Sequence, residues 1–312
     1  MKKYAVIITG ANSGIGRAAA EKFASEGHKV VMACRNLEKG RRARKEIRKL
    51  TGNGEIFLYK LDMSSLKSIR KFCKRFQREH SSLDILINNA AYFDHGEDFK
   101  LSPDKVELTF ATNVVGPYLL TMLLADLLAE SDDPRVLNAG SNIIKHFFDP
   151  KKEVRLSGLN GNQVYEPHSV YKCYRDSKMA FLMQTFRMSD VLKEKGIKVN
   201  MLQINGAKMS KDTLKKITLL WRSIAQVQNL FFREPEFMAD LYYQICTSED
   251  FKNVSGKLFN HKLEIMQPAS EKPGLKDQYH QLFGAELYPV YAHREDVTDL
   301  LWSQCRAITK MG

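Results

Sequence analysis

A chain of 312 residues with 44% hydrophobic content is long enough to bury a sizeable core as one large α/β domain. No run of about 18 apolar residues is present, and the N-terminal "MKKYAVIITG" enters strand-like alternation too soon for a signal sequence, so a soluble, cytoplasmic protein is expected. The formal net charge of +12 would attract nucleic acid or an anionic membrane, but much of it lies in "EKGRRARKEIRKL" and "KSIRKFCKRFQRE", which have the pattern of amphipathic helices with solvated basic faces.

In chain order, "YAVIIT" is a continuous apolar run bounded by a Gly-rich turn, the pattern of a strand buried on both faces. "GRAAAEKFASEG" follows as a helix, "HKVVMAC" as a strand, residues 37 to 50 as a helix and "EIFLYKLD" as a strand. Residues 64 to 79 then predict a helix, "LDILINNA" a strand, 103 to 130 a long helix, "PRVLNAG" a strand, 170 to 195 a helix and "GIKVNMLQI" a strand. Strands separated by helices imply parallel pairing through right-handed crossovers. The fold expected is therefore a Rossmann-type doubly wound parallel sheet in a single domain spanning residues 1–312. It divides into a dinucleotide-binding and catalytic core (1–205), substrate-covering helices with a last strand (206–260), and a C-terminal extension (261–312). In such sheets ligands lie beyond the carboxyl ends of the strands.

Beyond the first strand, "TGANSGIG" carries Gly10, Gly14 and Gly16. They allow a tight turn and close backbone approach to a pyrophosphate, with a helix N-terminus behind them. Beyond the second strand, "MACRN" has Cys34 where NAD-selective sites usually place a carboxylate, followed by Arg35. A guanidinium can pair with a 2′-phosphate, which favours NADP(H). In "SVYKCYRDSKMAF", Tyr174 and Lys178 are four apart and share a helix face, whereas Tyr171 lies a further turn back. The five cysteines, Cys34, Cys73, Cys173, Cys246 and Cys305, form no CxxC and have no histidine at metal-ligand spacing, so they are expected to be reduced thiols, with no metal site.

Taken together, "TGANSGIG", "ACRN", "LDMSS", "INNAA", "ATNVVGPYLLT", "RVLNAGS" and "YRDSK" resemble, in order and spacing, the classical short-chain dehydrogenase/reductases of the retinol-dehydrogenase-like branch. The resemblance covers residues 4 to 205 well and continues faintly through "FFREPEFMADLYYQICTSEDFKNVSGKLFN". It implies Tyr174 as general acid/base, Lys178 as its electrostatic partner and ribose ligand, Ser141 as the hydroxyl orienting the substrate oxygen, and Asn113 as holder of a proton-relay water. It implies a cofactor groove lined by Gly10, Asn12, Ser13, Gly14, Ile15, Gly16, Arg35, Asp62, Met63, Asn89, Ala90, Tyr174, Lys178 and Asn205. It also implies a small apolar alcohol or carbonyl substrate, and pairing as homodimer or homotetramer through the helices at 105 to 130 and 170 to 195. A lysine charge about 4 Å from Tyr174 would lower the phenol by roughly 3 pKa units from about 10.

Four positions depart from the family pattern. Ala91 stands where a Gly is usual, Gly140 where the branch has a first serine, Ile204 and Asn205 where a Pro-Gly pair follows the strand, and Met209 where a threonine is usual. Gly206 comes one place late, and because Asn tolerates left-handed backbone better than most residues, Asn205 would let the altered turn survive. Residues 215 to 232, "KKITLLWRSIAQVQNLFF", suit an apolar pocket wall, with weak peripheral membrane contact as a subordinate reading. Tyr171 is expected to pack or line the pocket, and the tail to close over it or serve an oligomer contact. The competing functions are a non-catalytic dinucleotide-binding or scaffold protein retaining the fold, and a basic surface-binding protein; no nucleic-acid partner is expected.

Overall fold

Six of the strands are short apolar runs whose alternate residues enter two different cores. In β1 (Ala5–Thr9), Val6 and Ile8 face one layer while Ile7 faces the other, as a period of two requires. A computed structural model describes residues 2–93, 98–206, 208, 232–271, 274, 280, 281 and 284–311. It contains a seven-stranded parallel sheet in the order β3-β2-β1-β4-β5-β6-β7. The other strands of this sheet are β2 (Lys29–Cys34), β3 (Ile56–Lys60), β4 (Ile85–Asn88), β5 (Arg135–Ala139), β6 (Lys198–Leu202) and β7 (Leu258–Phe259).

Helices α1 (Gly14–Ser25), α2 (Leu37–Thr51) and α7 (Pro235–Thr247) cover one face. The other face carries α3 (Leu66–Glu79), α4 (Leu108–Phe110), α5 (Gly116–Ala129), α6 (Val170–Val191) and α8 (Glu295–Thr309). In α2 and α3 the residues turned inward are Ala43, Ile47, Ile69, Phe72, Cys73 and Phe76. Their arginines face outward, where Arg42 pairs with Glu38 and Arg75 with Glu79. The solvated-face reading of the two basic segments holds.

The long helix expected from residue 103 begins at Leu108. Residues 101–107 form a tight loop instead, in which Ser102 N–H donates to the Val106 carbonyl at 2.8 Å and Lys105 adopts a positive φ of 61°. Glu107 then caps the helix by accepting from Phe110 N–H at 2.9 Å. Leu108–Ala129 is a continuous 22-residue helical stretch, long and apolar enough to cross a membrane, but most of it is buried in the core. Residues Ala111–Val115 of this stretch widen into a π turn.

In the C-terminal extension, β8 (Gln267–Pro268) pairs with β9 (Leu287–Tyr288). The last helix is seated on the back of the core. Trp302 meets Tyr118 of α5 edge-on at 4.9 Å, and Gln184 of α6 donates to Cys305 Sγ. Thus α8 packs behind α6. The expected pocket wall at 215 to 232 lies, except for Phe232, outside the described residues, as does Met209.

Candidate active site

The predicted cofactor residues follow successive strand ends. Across the sheet, Asp62, Arg35, Gly10, Asn89, Ser141 and Asn205 come one to three residues beyond β3, β2, β1, β4, β5 and β6. Strand order reverses between β1 and β4, where a doubly wound sheet opens a crevice.

At that crevice Gly10 and Gly14 have φ of +69° and +53°, values disfavoured for residues bearing a Cβ. A Cβ on Gly16 would stand 2.5 Å from Asn89 Nδ2 and 2.7 Å from the Gly10 carbonyl oxygen, so only glycine fits. Ser13 is the N-cap of α1 but makes no side-chain cap bond, and the first turn has no acidic residue. By contrast, the caps of α2, α3 and α6, Asn36, Ser65 and Ser169, accept from backbone N–H groups. The start of α1 therefore keeps amide donors and its positive dipole end for an anion. These features fit a dinucleotide pyrophosphate.

Asn12 and Ile15 are half-buried and Ser13 is exposed at the same turn, while Met63 is buried beside Asp62. Asp62 is held by Ser64, whose N–H and hydroxyl donate to Oδ1 at 3.0 and 2.7 Å. Asn89 Nδ2 donates to the Thr9 carbonyl, and the amides of Asn89 and Ala90 donate to Thr9 Oγ1, all at 2.9 Å. Tyr242 from α7 donates its hydroxyl to Asn89 Oδ1 at 3.2 Å. Arg35 is exposed, and Lys60 donates to its carbonyl.

Ser141, Tyr174 and Lys178 come together beyond β5. Lys178 is only 3% exposed, lies 5.5 Å from the centre of the Tyr174 ring, and donates to the Ala139 carbonyl at 2.8 Å. Burial lowers its ammonium to about 8. The partly buried Tyr174 shares a hydrogen bond with Ser141, but desolvation outweighs that bond and pushes the phenol up to about 12. The expected lowering by Lys178 is therefore reversed. The cost of removing a phenolate from water dominates.

Asn113 sits in the π turn with 1% exposure. Its Oδ1 accepts from Tyr92 N–H at 2.8 Å, and its Nδ2 donates to the Tyr92 carbonyl and to Ser177 Oγ, both at 3.1 Å. Ser177 in turn donates to the Tyr174 carbonyl at 2.8 Å. This side chain joins the β4 loop to α6. Phe93, in that loop, lies over Tyr174 with ring centres 4.3 Å apart.

The expectation for Tyr171 is corrected. Tyr171 is 42% exposed and hydrogen-bonds His146 at 2.7 Å, so it does not pack inward. Tyr165 is buried and donates to Asp176 at 2.5 Å while accepting from Arg175 at 2.8 Å. In the altered turn, Gly206 takes the positive φ of 129°, whereas Asn205 has a side-chain role, accepting from Gln203 and contacting His261 Nδ1 at 3.0 Å. The exposed Ala91 leaves space for its methyl group. Sequence reasoning missed Thr9, Tyr242, Phe93 and Ser177. Only Ser177, inside "YRDSK", and Thr9, adjoining Gly10, lay within a motif already in view. All five cysteines are buried free thiols.

A sequence profile described as short chain dehydrogenase matches residues 4–148. Retinol dehydrogenase 12 of Mus musculus is 35% identical over 257 residues, covering 82% of this chain and 77% of the relative. Retinol dehydrogenase 14 of Homo sapiens is 31% identical, covering 81% and 77%. Among solved structures, a short chain dehydrogenase of Shigella flexneri complexed with NADP superposes with a TM-score of 0.64 at 20% identity, covering 84% of this chain and 98% of that one. An uncharacterized protein of Mycobacterium paratuberculosis gives 0.67 at 22%, covering 98% and 93%. With its strand-end site, glycine turn and Ser-Tyr-Lys cluster, the chain belongs to the short-chain dehydrogenase family, in its retinol-dehydrogenase-like branch.

Proposed function

We propose that this protein is an NADP(H)-dependent oxidoreductase that interconverts an apolar alcohol with its aldehyde or ketone, Tyr174 serving as general acid/base. The observation that carries the reading is the meeting of Ser141, Tyr174 and Lys178 beyond β5. The cofactor supplies or accepts a hydride. The chain's own residues manage the proton. As a carbonyl is reduced, negative charge grows on its oxygen, and the Tyr174 phenol donates its proton to that oxygen. Ser141 orients the phenol and offers a neutral hydrogen bond to the developing oxyanion. A phenol at about 12 is protonated throughout the neutral range, which favours reduction. The buried Lys178 ammonium steadies the charge left on Tyr174.

The preference for NADP(H) rests on Arg35 and on the absence of a carboxylate at the end of β2, with Lys60 adding positive charge nearby. The retinol dehydrogenase relatives suggest a long apolar alcohol or aldehyde of the retinoid kind, and the Phe93 ring over Tyr174 suits such a substrate.

The test is NADPH consumption over a panel of apolar aldehydes, ketones and quinones, with NADH as the control. Tyr174→Phe is expected to lose about 10²–10⁴-fold in kcat while still binding NADPH. Arg35→Ser is expected to raise KM for NADPH about tenfold or more and leave NADH nearly unchanged. Equal turnover by wild type and Tyr174→Phe would remove Tyr174 from the chemistry. NADPH binding without turnover of any panel member would select the non-catalytic reading.

A further inference from the structure

On the far side of the catalytic helix from the Lys178 contact, donor atoms of Glu107, His168 and Cys173 all lie within 4.8 Å of one another. Their sequence positions conceal this. Glu107 caps the start of α4, His168 precedes the Ser169 cap of α6, and Cys173 lies in the first turn of α6, one residue before Tyr174. Glu107 is 2% exposed and Cys173 fully buried.

Each of the three lacks a partner suited to its chemistry. Glu107 makes no ion pair among the described residues; its oxygens accept only from Thr109 Oγ1 at 2.8 Å and Phe110 N–H at 2.9 Å. A carboxylate has about four lone-pair directions, so both oxygens retain acceptor capacity. The Nδ1 atom of His168 is shielded from solvent and has no hydrogen-bond partner, an arrangement that costs stability unless another group meets it. The thiol supplies a third donor, soft enough to select zinc over magnesium or calcium.

We propose that Glu107, His168 and Cys173 form a zinc-binding site that joins the start of the long α4–α5 stretch to the start of the catalytic helix. One carboxylate oxygen, one imidazole nitrogen and one thiolate provide three positions of a tetrahedron, with water as the fourth. Tetrahedral zinc sets such O, N and S ligand atoms about 3.3–3.6 Å apart, so the cluster closes by roughly 1 Å through side-chain rotation. On binding, the Cys173 S–H bond breaks, the sulfur electron pair forms the S–Zn bond, and the proton passes to buffer with no change of oxidation state. The ion fixes the backbone beside Tyr174 without touching the reacting atoms, so Glu107, His168 and Cys173 are positioning residues.

The test uses the full chain after chelator treatment, titrated with Co²⁺ and then Zn²⁺. One equivalent of Co²⁺ is expected to produce a thiolate-to-cobalt charge-transfer band that Zn²⁺ abolishes, with a dissociation constant of about 1 μM or tighter. Zn²⁺ at a hundredfold excess over that constant should raise Tm by about 5 °C. Both effects should disappear in Cys173→Ser and in His168→Gln. His168 is only half-buried, so the second variant is the control for folding, checked by circular dichroism. Absence of the band in wild type, or its persistence in folded His168→Gln, would overturn the proposal.

Discussion

Lys178 illustrates the conflict between chemistry and stability at a single residue. Its ordinary amine value of 10.5 falls to about 8 because the charged form is buried. Below pH 8 both folded and unfolded chains carry the proton, and the folded state bears the whole penalty. Between 8 and 10.5 the unfolded chain binds more protons, so stability rises with pH and the penalty is relieved. The gap corresponds to about 3 kcal/mol. Lys178→Met removes that cost but leaves the Ala139 carbonyl without its 2.8 Å donor, an offset of about 1–2 kcal/mol. The expected outcome is a net gain of about 1–2 kcal/mol in urea unfolding at pH 7, gone by pH 10.5, together with a large fall in turnover. Unchanged stability at pH 7 would contradict this account. The Tyr174–Lys178 pair was legible in the sequence because a four-residue spacing fixes a shared helix face. The direction of their pKa shifts was not, because it depends on burial contributed by distant elements.

At the scale of elements, Gly140 shows how one strand dictates the residue on its neighbour. The resemblance implies a serine here, but a Cβ at Gly140 would lie 2.9 Å from both the Leu202 carbonyl oxygen and the Met201 side chain of β6. Gly140 N–H also donates to that same carbonyl at 2.8 Å, so the approach is set by the ladder itself. Gly140→Ser is expected to cost about 1–3 kcal/mol in thermal unfolding. Adding Met201→Ala should recover only the side-chain part, since Leu202 contributes backbone. Alternation of strands and helices was readable over residues 4 to 205 because each strand is a short apolar run between turns. Harder to read were contacts made after folding: Tyr242 reaching Asn89 from α7, and Glu107 meeting Cys173 across more than sixty residues. No local period encodes such meetings, and the start of the long helix was misplaced because the tight loop at 101–107 resembles a first turn in composition.

For the molecule as a whole, the last helix belongs to the core. Leu301 is 1% exposed and Cys305 fully buried against the layer containing α5 and α6, and Arg70 of α3 donates to the Thr309 carbonyl. Leu301→Ala is therefore expected to destabilise the entire fold by about 2–5 kcal/mol, with a single cooperative urea transition moved to lower concentration. A separate early transition confined to the C-terminal segment would show that α8 is only an appendage.

The hydrogen bond from Gln184 to Cys305 crosses 121 residues of chain. A ribosome adding about 5–20 residues per second releases α6 about 6–24 s before the segment that shelters its reverse side. For that interval a nascent chain carries α6 with its back bare, a surface of the kind that chaperones bind. Closure of this layer thus waits for residue 305, and synonymous codons that slow elongation between residues 192 and 295 would lengthen the exposure.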